Sequence, residues 1–186
     1  MEPEVMPTTL EYVDSKTNEE KSIDIKLLFL TPRIRSEIVK FDMILQKESD
    51  NLKKEYNELS LVKKNQERQQ AILKYRAGLI EKESLKKDED EIDYSEIDKK
   101  VATFILAQKD DVSDQELADT EKYTEKTWDF NYTTGIQFFQ MIVNRFQLQE
   151  EEKKLILSKP GSPFWQNVDI KKVTEFNQFF RRHFKV

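Results

Sequence analysis

An apolar row at seven-residue spacing constrains this chain more than any other feature. Ile38, Leu45, Leu52, Leu59, Leu73 and Ile80 recur, with Gln66 as the polar member, through a stretch that has no proline after Pro32 and one glycine, Gly78. A side chain that returns every seventh residue stays on one side of an α-helix, so a row sustained over about six heptads predicts a long helix seeking a partner along one seam. The companion positions, three residues on from each row member, read Phe41, Glu48, Glu55, Val62, Gln69 and Arg76. Only the heptads of Ile38 and Leu59 are therefore apolar at both positions, which is half a coiled-coil seam.

Three arrangements satisfy half a seam. The helix packs on other helices of its own chain or folds back as a hairpin; it pairs with another protein or a second copy; or it is solvated for part of its length, as the polar run KKNQERQQ at residues 63–70 invites. The first is the default. In the second, the row itself is the partner-binding surface. Thr31 and Pro32 mark the start, a hydroxyl to accept a backbone N–H followed by a ring at the first helical position, where the missing N–H costs nothing. No comparable stop occurs before the charged run at residues 86–91. The expected helix covers residues 31–87, which is roughly 80 Å of length if unbroken.

Composition narrows the fold class. Charged residues make up 36% of the 186 and hydrophobic ones 37%, with three glycines and five prolines, so a mainly α protein with a large solvated surface is expected rather than a sandwich, barrel or doubly wound sheet. Net charge is −5 with both signs interspersed, so bulk attraction to a nucleic-acid backbone is not expected. Cysteine is absent, excluding disulfides, thiolate metal sites and a cysteine nucleophile. The N-terminus lacks a signal-peptide pattern and no continuous apolar run, that at residues 27–30 included, is long enough to cross a bilayer. A soluble, cytoplasmic protein is the expectation.

Four segments follow along the chain. Residues 1–30 hold a loose leader and a β-hairpin, signalled by period-two alternation in LEYV at 10–13 and SIDIKL at 22–27 around the polar DSKTNEEK. The heptad helix comes next. Residues 88–127 form a polar linker with short helices, one opened by Ser95 and Asp98 at capping-box spacing, the other by Ser113 and Glu116 and running through Glu125. Residues 128–186 contain both tryptophans and nine of the twelve phenylalanines, and are expected to fold alone as a compact helical module. Within it Ile136, Phe139, Val143 and Phe146 define one helical face, and Val173, Phe176, Phe180 and Phe184 another. The segment KPGSP at 159–163 breaks the chain between them, and Asp169 is placed to cap the last helix.

Reaction chemistry is hard to assemble from these residues. His183 is the only histidine, and glycines stand only at 78, 135 and 161, so neither a multi-histidine metal site nor a glycine-rich phosphate loop is expected. Asp88, Asp90 and Asp93 are close in sequence but lack the glycine and glutamate of a calcium loop. No catalytic residue, metal or cofactor is assigned. A basic C-terminal cluster of Arg181, Arg182 and Lys185, interleaved with phenylalanines, is the one candidate nucleic-acid contact.

Residues 22–42, SIDIKLLFLTPRIRSEIVKFD, run from a strand through Thr-Pro into a helix beginning Arg-Ile-Arg. This segment resembles the opening of small tail assembly chaperones of tailed bacteriophages. The resemblance implies a largely helical, non-enzymatic protein that coats the tape measure protein during tail assembly, located in the host cytoplasm or virion. The expectation is thus a protein-interaction, assembly or structural protein; the alternative is a nucleic-acid-associated accessory factor using the basic C-terminal helix.

Overall fold

A computed structural model describes residues 8–86, 88, 91–108 and 110–185, and the fold among them is mainly α with an N-terminal β-hairpin. The leader expected at the N-terminus lies, up to residue 7, outside the described residues. Strand β1 (Thr8–Val13) pairs antiparallel with β2 (Glu20–Ile25) in a register that sets Leu10 opposite Ile23. Alternation does the sorting: Leu10, Ile23 and Ile25 are buried, whereas Glu11, Ser22 and Asp24 face out. Asp14 and Lys21 close the connection as an ion pair, and this lysine, with the Lys16 backbone N–H, holds the Asp14 carboxyl at about 2. Asn18 takes the left-handed conformation of the turn (φ 57°), which asparagine tolerates.

Helix α1 (Pro32–Glu58) starts where Thr31 and Pro32 predict, with Thr31 Oγ1 accepting the Ile34 N–H at 3.3 Å. The long helix is not continuous. Leu59 is extended (φ −64°, ψ 136°), and α2 (Ser60–Ser84) begins after it. No proline or glycine marks this bend. Tertiary contacts flank it: on one side Tyr56 packs against Tyr123 at 5.0 Å between ring centroids, and on the other the Ser60 hydroxyl donates to Glu116 Oε1 at 2.7 Å.

Helix α3 (Tyr94–Ala107) is capped by Asp93, whose carboxylate accepts the N–H groups of Ser95 and Glu96, so the cap falls two residues before the Ser95 expected from spacing. Asp98 instead faces Arg76 at 3.1 Å. Helix α4 (Asp114–Ile142) opens with the expected reciprocal pair, the Ser113 N–H donating to Glu116 Oε2 (2.9 Å) and the Glu116 N–H to Ser113 Oγ (3.3 Å). It then runs unbroken past residue 128, where the composition changes. The remaining helices are α5 (Glu150–Ile156), α6 (Pro163–Gln166) and α7 (Ile170–Phe184), the last capped by Asp169 as expected.

The chain forms two compact units, whose boundaries fall inside α1 and α4: one takes the chain up to Asp50 and again from Glu125, the other is Asn51–Thr124. In the first, Leu10, Ile23 and Ile25 of the hairpin share a core with Ile136, Phe139 and Val143, with Ile156, with Phe164 and Trp165, and with Val173 and Phe176. Phe139 sits at its centre, edge-to-face with Trp165 at 6.0 Å and stacked on Phe176 at 5.9 Å. Ile38 of α1 adds a second cluster with Phe138, Ile142 and Phe180. The aromatic segment 128–186 therefore does not close a core by itself.

Phe146 departs from the helical face predicted for it and is 94% exposed. The backbone leaves α4 after Ile142 to pair with the segment following β2: the Leu28 N–H donates to Ile142 O (2.7 Å) and the Asn144 N–H to Lys26 O (2.8 Å). Phe146 falls in the short 3₁₀ turn beyond, Arg145–Gln147.

The second unit has a smaller apolar cluster, Ile92, Ile97 and Val101 against the half-buried Ile72, Leu79 and Ile80. Tyr75 stacks on Phe104 at 4.3 Å. Charged contacts supply much of the rest: Lys64 meets Glu116 at 2.7 Å and Arg68 meets Asp110 at 3.0 Å.

Candidate functional site

The basic C-terminal cluster is already engaged within the chain. Arg181 makes a two-pronged pair with Asp42 of α1 (2.9 and 2.6 Å), and its guanidinium lies 4.1 Å from the Phe138 ring centroid. Arg182 donates to Gln178 Oε1 at 3.2 Å, and Lys185 ends α7 in a left-handed conformation (φ 51°). His183 stacks on Phe179 at 5.4 Å and meets Phe184 edge-on. Arg181 is thus a clamp between α1 and α7, leaving a basic surface of two side chains. Of the acidic triplet, Asp93 is a helix cap and Asp90 lies outside the described residues. Among the described residues no group of three or more carboxylates and imidazoles is disposed to hold a metal ion.

The heptad row divides along its length. Ile38 is fully buried between α4 and α7, so it is unavailable to another chain. Leu45, Leu52 and Leu59 are half-buried. Leu73 is 67% exposed, whereas Ile80 packs toward α3. A row that reads as one seam in sequence is three environments in the fold.

A different set of α1 side chains carries the exposed apolar surface. Val39, Met43 and Ile44 are 49%, 69% and 58% exposed, and Phe29 just before the helix is also exposed. At about 100° per residue these three positions lie on the side of α1 turned away from Ile38 and Leu45. The sequence signal is present in hindsight: residues 38–45, IVKFDMIL, are apolar at six of eight positions. A helix apolar all round is ordinarily covered all round, and a single-row reading overlooks this. Lys40 and Lys47 fall between Met43 and Ile44 on the same side, exposed and without an ion-pair partner among the described residues. Arg33, at its edge, is paired with Glu37 at 3.3 Å.

The band is thus an apolar strip with two unpaired positive charges on a rigid helix, anchored from behind by Ile38 and the Arg181–Asp42 pair. The group most altered in acidity in the second unit, Glu116, is held at about 2 by Lys64, the Ser113 N–H and the Ser60 hydroxyl; this is the environment of a structural ion pair.

Comparison with protein-family models, with curated proteins and with solved structures finds no match to this chain. No helix among the described residues is long and apolar enough to cross a membrane.

Proposed function

We propose that this chain is a non-enzymatic interaction protein that works by pairing the outer side of α1 with an acidic amphipathic helix of another protein. The observation that carries this reading is the exposure of Val39, Met43 and Ile44 around Lys40 and Lys47 on a helix whose opposite side is built into a core. Apolar side chains favour a dry contact, and the two lysines select acidic flanks on the incoming helix, the helix-in-groove logic of many assembly proteins. Two like charges on the band argue against a second copy of the same surface as its occupant. The resemblance of residues 22–42 to phage tail assembly chaperones gives the reading its most specific form, with a helical tape measure protein as the partner.

The test is a titration of the full chain against two labelled amphipathic helices of equal apolar face, one with acidic flanks and one with basic flanks, followed by anisotropy. The acidic helix is expected to bind, and Met43→Asp with Ile44→Asp to abolish binding without shifting the melting temperature by more than about 2–4 °C, since both side chains are exposed. Indifference of the chain to either helix, or equal binding by the double variant, refutes the reading.

A further inference from the structure

A cleft of about 540 Å³ in the first unit is lined by Trp128, Tyr132, Pro160, Trp165 and Ile170, with Asp129 at its rim. Both tryptophans of the chain therefore face one depression. Trp128 is 61% exposed yet well oriented: its ring lies 5.2 Å from that of Tyr132, one turn further along α4, with only 11° between the planes. The two rings stack, so Tyr132 covers part of the Trp128 indole while the rest of that ring stays open. Trp165 is nearly fully buried and its indole N–H donates to Ser158 O at 3.1 Å, so it forms a wall with its polar atom already satisfied. Gly161 turns the opposite rim with φ 84°, a conformation that excludes most other residues.

The polar groups around the cleft bear on what it could hold. The Trp128 indole N–H and the Tyr132 hydroxyl make no hydrogen bond among the described residues, although both stand beside apolar surface. Burial pushes the Tyr132 pKa up, so the hydroxyl remains a donor. The cleft thus presents two unused donors next to flat aromatic faces. The Gln166 amide donates one N–H to Gly161 O at 3.0 Å. The Asp129 carboxylate is exposed and has no ion-pair partner among the described residues.

We infer that this cleft binds a proline-rich peptide segment in the polyproline II conformation, bearing a basic residue that meets Asp129. Such a segment has no internal hydrogen bonds, so its carbonyls need external donors, and its proline rings pack flat on aromatic faces at low entropic cost. Donors, an open indole face and a single negative charge are what the cleft supplies. The inference deepens the reading of the chain as an interaction protein but uses a surface separate from the α1 band, so the Met43→Asp/Ile44→Asp variant is expected to bind the peptide unchanged.

The experiment is a titration of the full chain with a synthetic proline-rich decapeptide carrying one arginine at either end, read by tryptophan fluorescence. A saturable blue shift is expected. Trp128→Ala should weaken binding by at least about tenfold, as expected for loss of an aromatic anchor. Trp128→Phe, which keeps the ring and loses the N–H, should fall between, and Asp129→Asn should remove most of the salt dependence. Unchanged far-UV dichroism establishes that each variant folds. A peptide with its prolines replaced by alanine is expected not to bind. The inference is overturned if wild type gives no saturable shift at millimolar peptide, if Trp128→Ala binds normally, or if a neutral oligosaccharide of linked glucose units shifts the fluorescence while the peptide does not.

Discussion

The two units of this chain reach stability by different means. In the first, aromatic and branched side chains from the hairpin, α1, α4 and the three C-terminal helices form two clusters, the larger around Phe139 and the smaller around Ile38, with Leu27 packed against both. In the second, a cluster of Ile92, Ile97 and Val101, with Val62 buried apart from it, is supplemented by Lys64–Glu116, Arg68–Asp110 and Arg76–Asp98 pairs near the surface. Apolar burial contributes about 25 cal/mol per Å² and does not depend on pH, whereas exposed ion pairs are individually weak and respond to salt and acid. The contrast teaches that one helix can change its role along its length: α4 opens with a charged capping pair and ends with Ile136, Phe138 and Phe139 fully packed.

The largest effect that could break this comparison is loss of the hairpin. A chain beginning at residue 128 is expected to lose cooperative unfolding and near-ultraviolet dichroism altogether, since Leu10, Ile23, Ile25 and Ile38 are missing from its core. A sharp thermal transition in that fragment would mean the aromatic segment is self-sufficient after all. Next in size, Trp165→Ala should cost about 3–5 kcal/mol, against about 2 for Ile97→Ala in the thinner cluster, both measured by denaturant melts of the full chain. Equal losses would mean that the two cores are equally well packed.

The smallest effect is also the most specific. Glu116 is held at about 2, below its ordinary 4.5, chiefly by Lys64. Its folded-state value is depressed, so its contribution is fully present above about pH 4.5 and is lost as pH falls toward 2. Wild type should therefore be more stable than Glu116→Gln at neutral pH, with the gap closing across that window. Asp14 of the hairpin is depressed to about 2 by Lys21 and titrates in the same range, which is why the difference between wild type and variant, rather than the wild-type curve alone, isolates Glu116. A gap that persists unchanged to pH 2 would remove the charge from the account of the second unit.

Where a signal depends on neighbours in the chain, it was readable. The Thr31-Pro32 start, the Ser113–Glu116 box, the Asp169 cap and the alternation of the hairpin all involve atoms a few residues apart, and each is found in place. The bend at Leu59 and the exit of the chain from α4 before Phe146 carry no such local mark. The exposed band on α1 lies between these cases. Val39, Met43 and Ile44 are apolar in the sequence, but which side of the helix is left uncovered depends on where Phe138, Ile142 and Phe180 come to rest.

Local order, the mainly helical class and the amphipathic character of each segment followed from residue order alone, because caps and periodicity act over a few bonds and one or two turns. Three things were decided only in three dimensions. Ile38 and Leu73, alike in the heptad row, became core and surface. Arg181 met Asp42 across 139 positions of sequence and became a clamp rather than a free cation. Trp128 and Trp165 came to face one cleft. Each depends on contacts between elements distant along the chain, and no local pattern encodes which of many amphipathic faces will meet, since the hydrophobic effect that drives them together has no direction of its own.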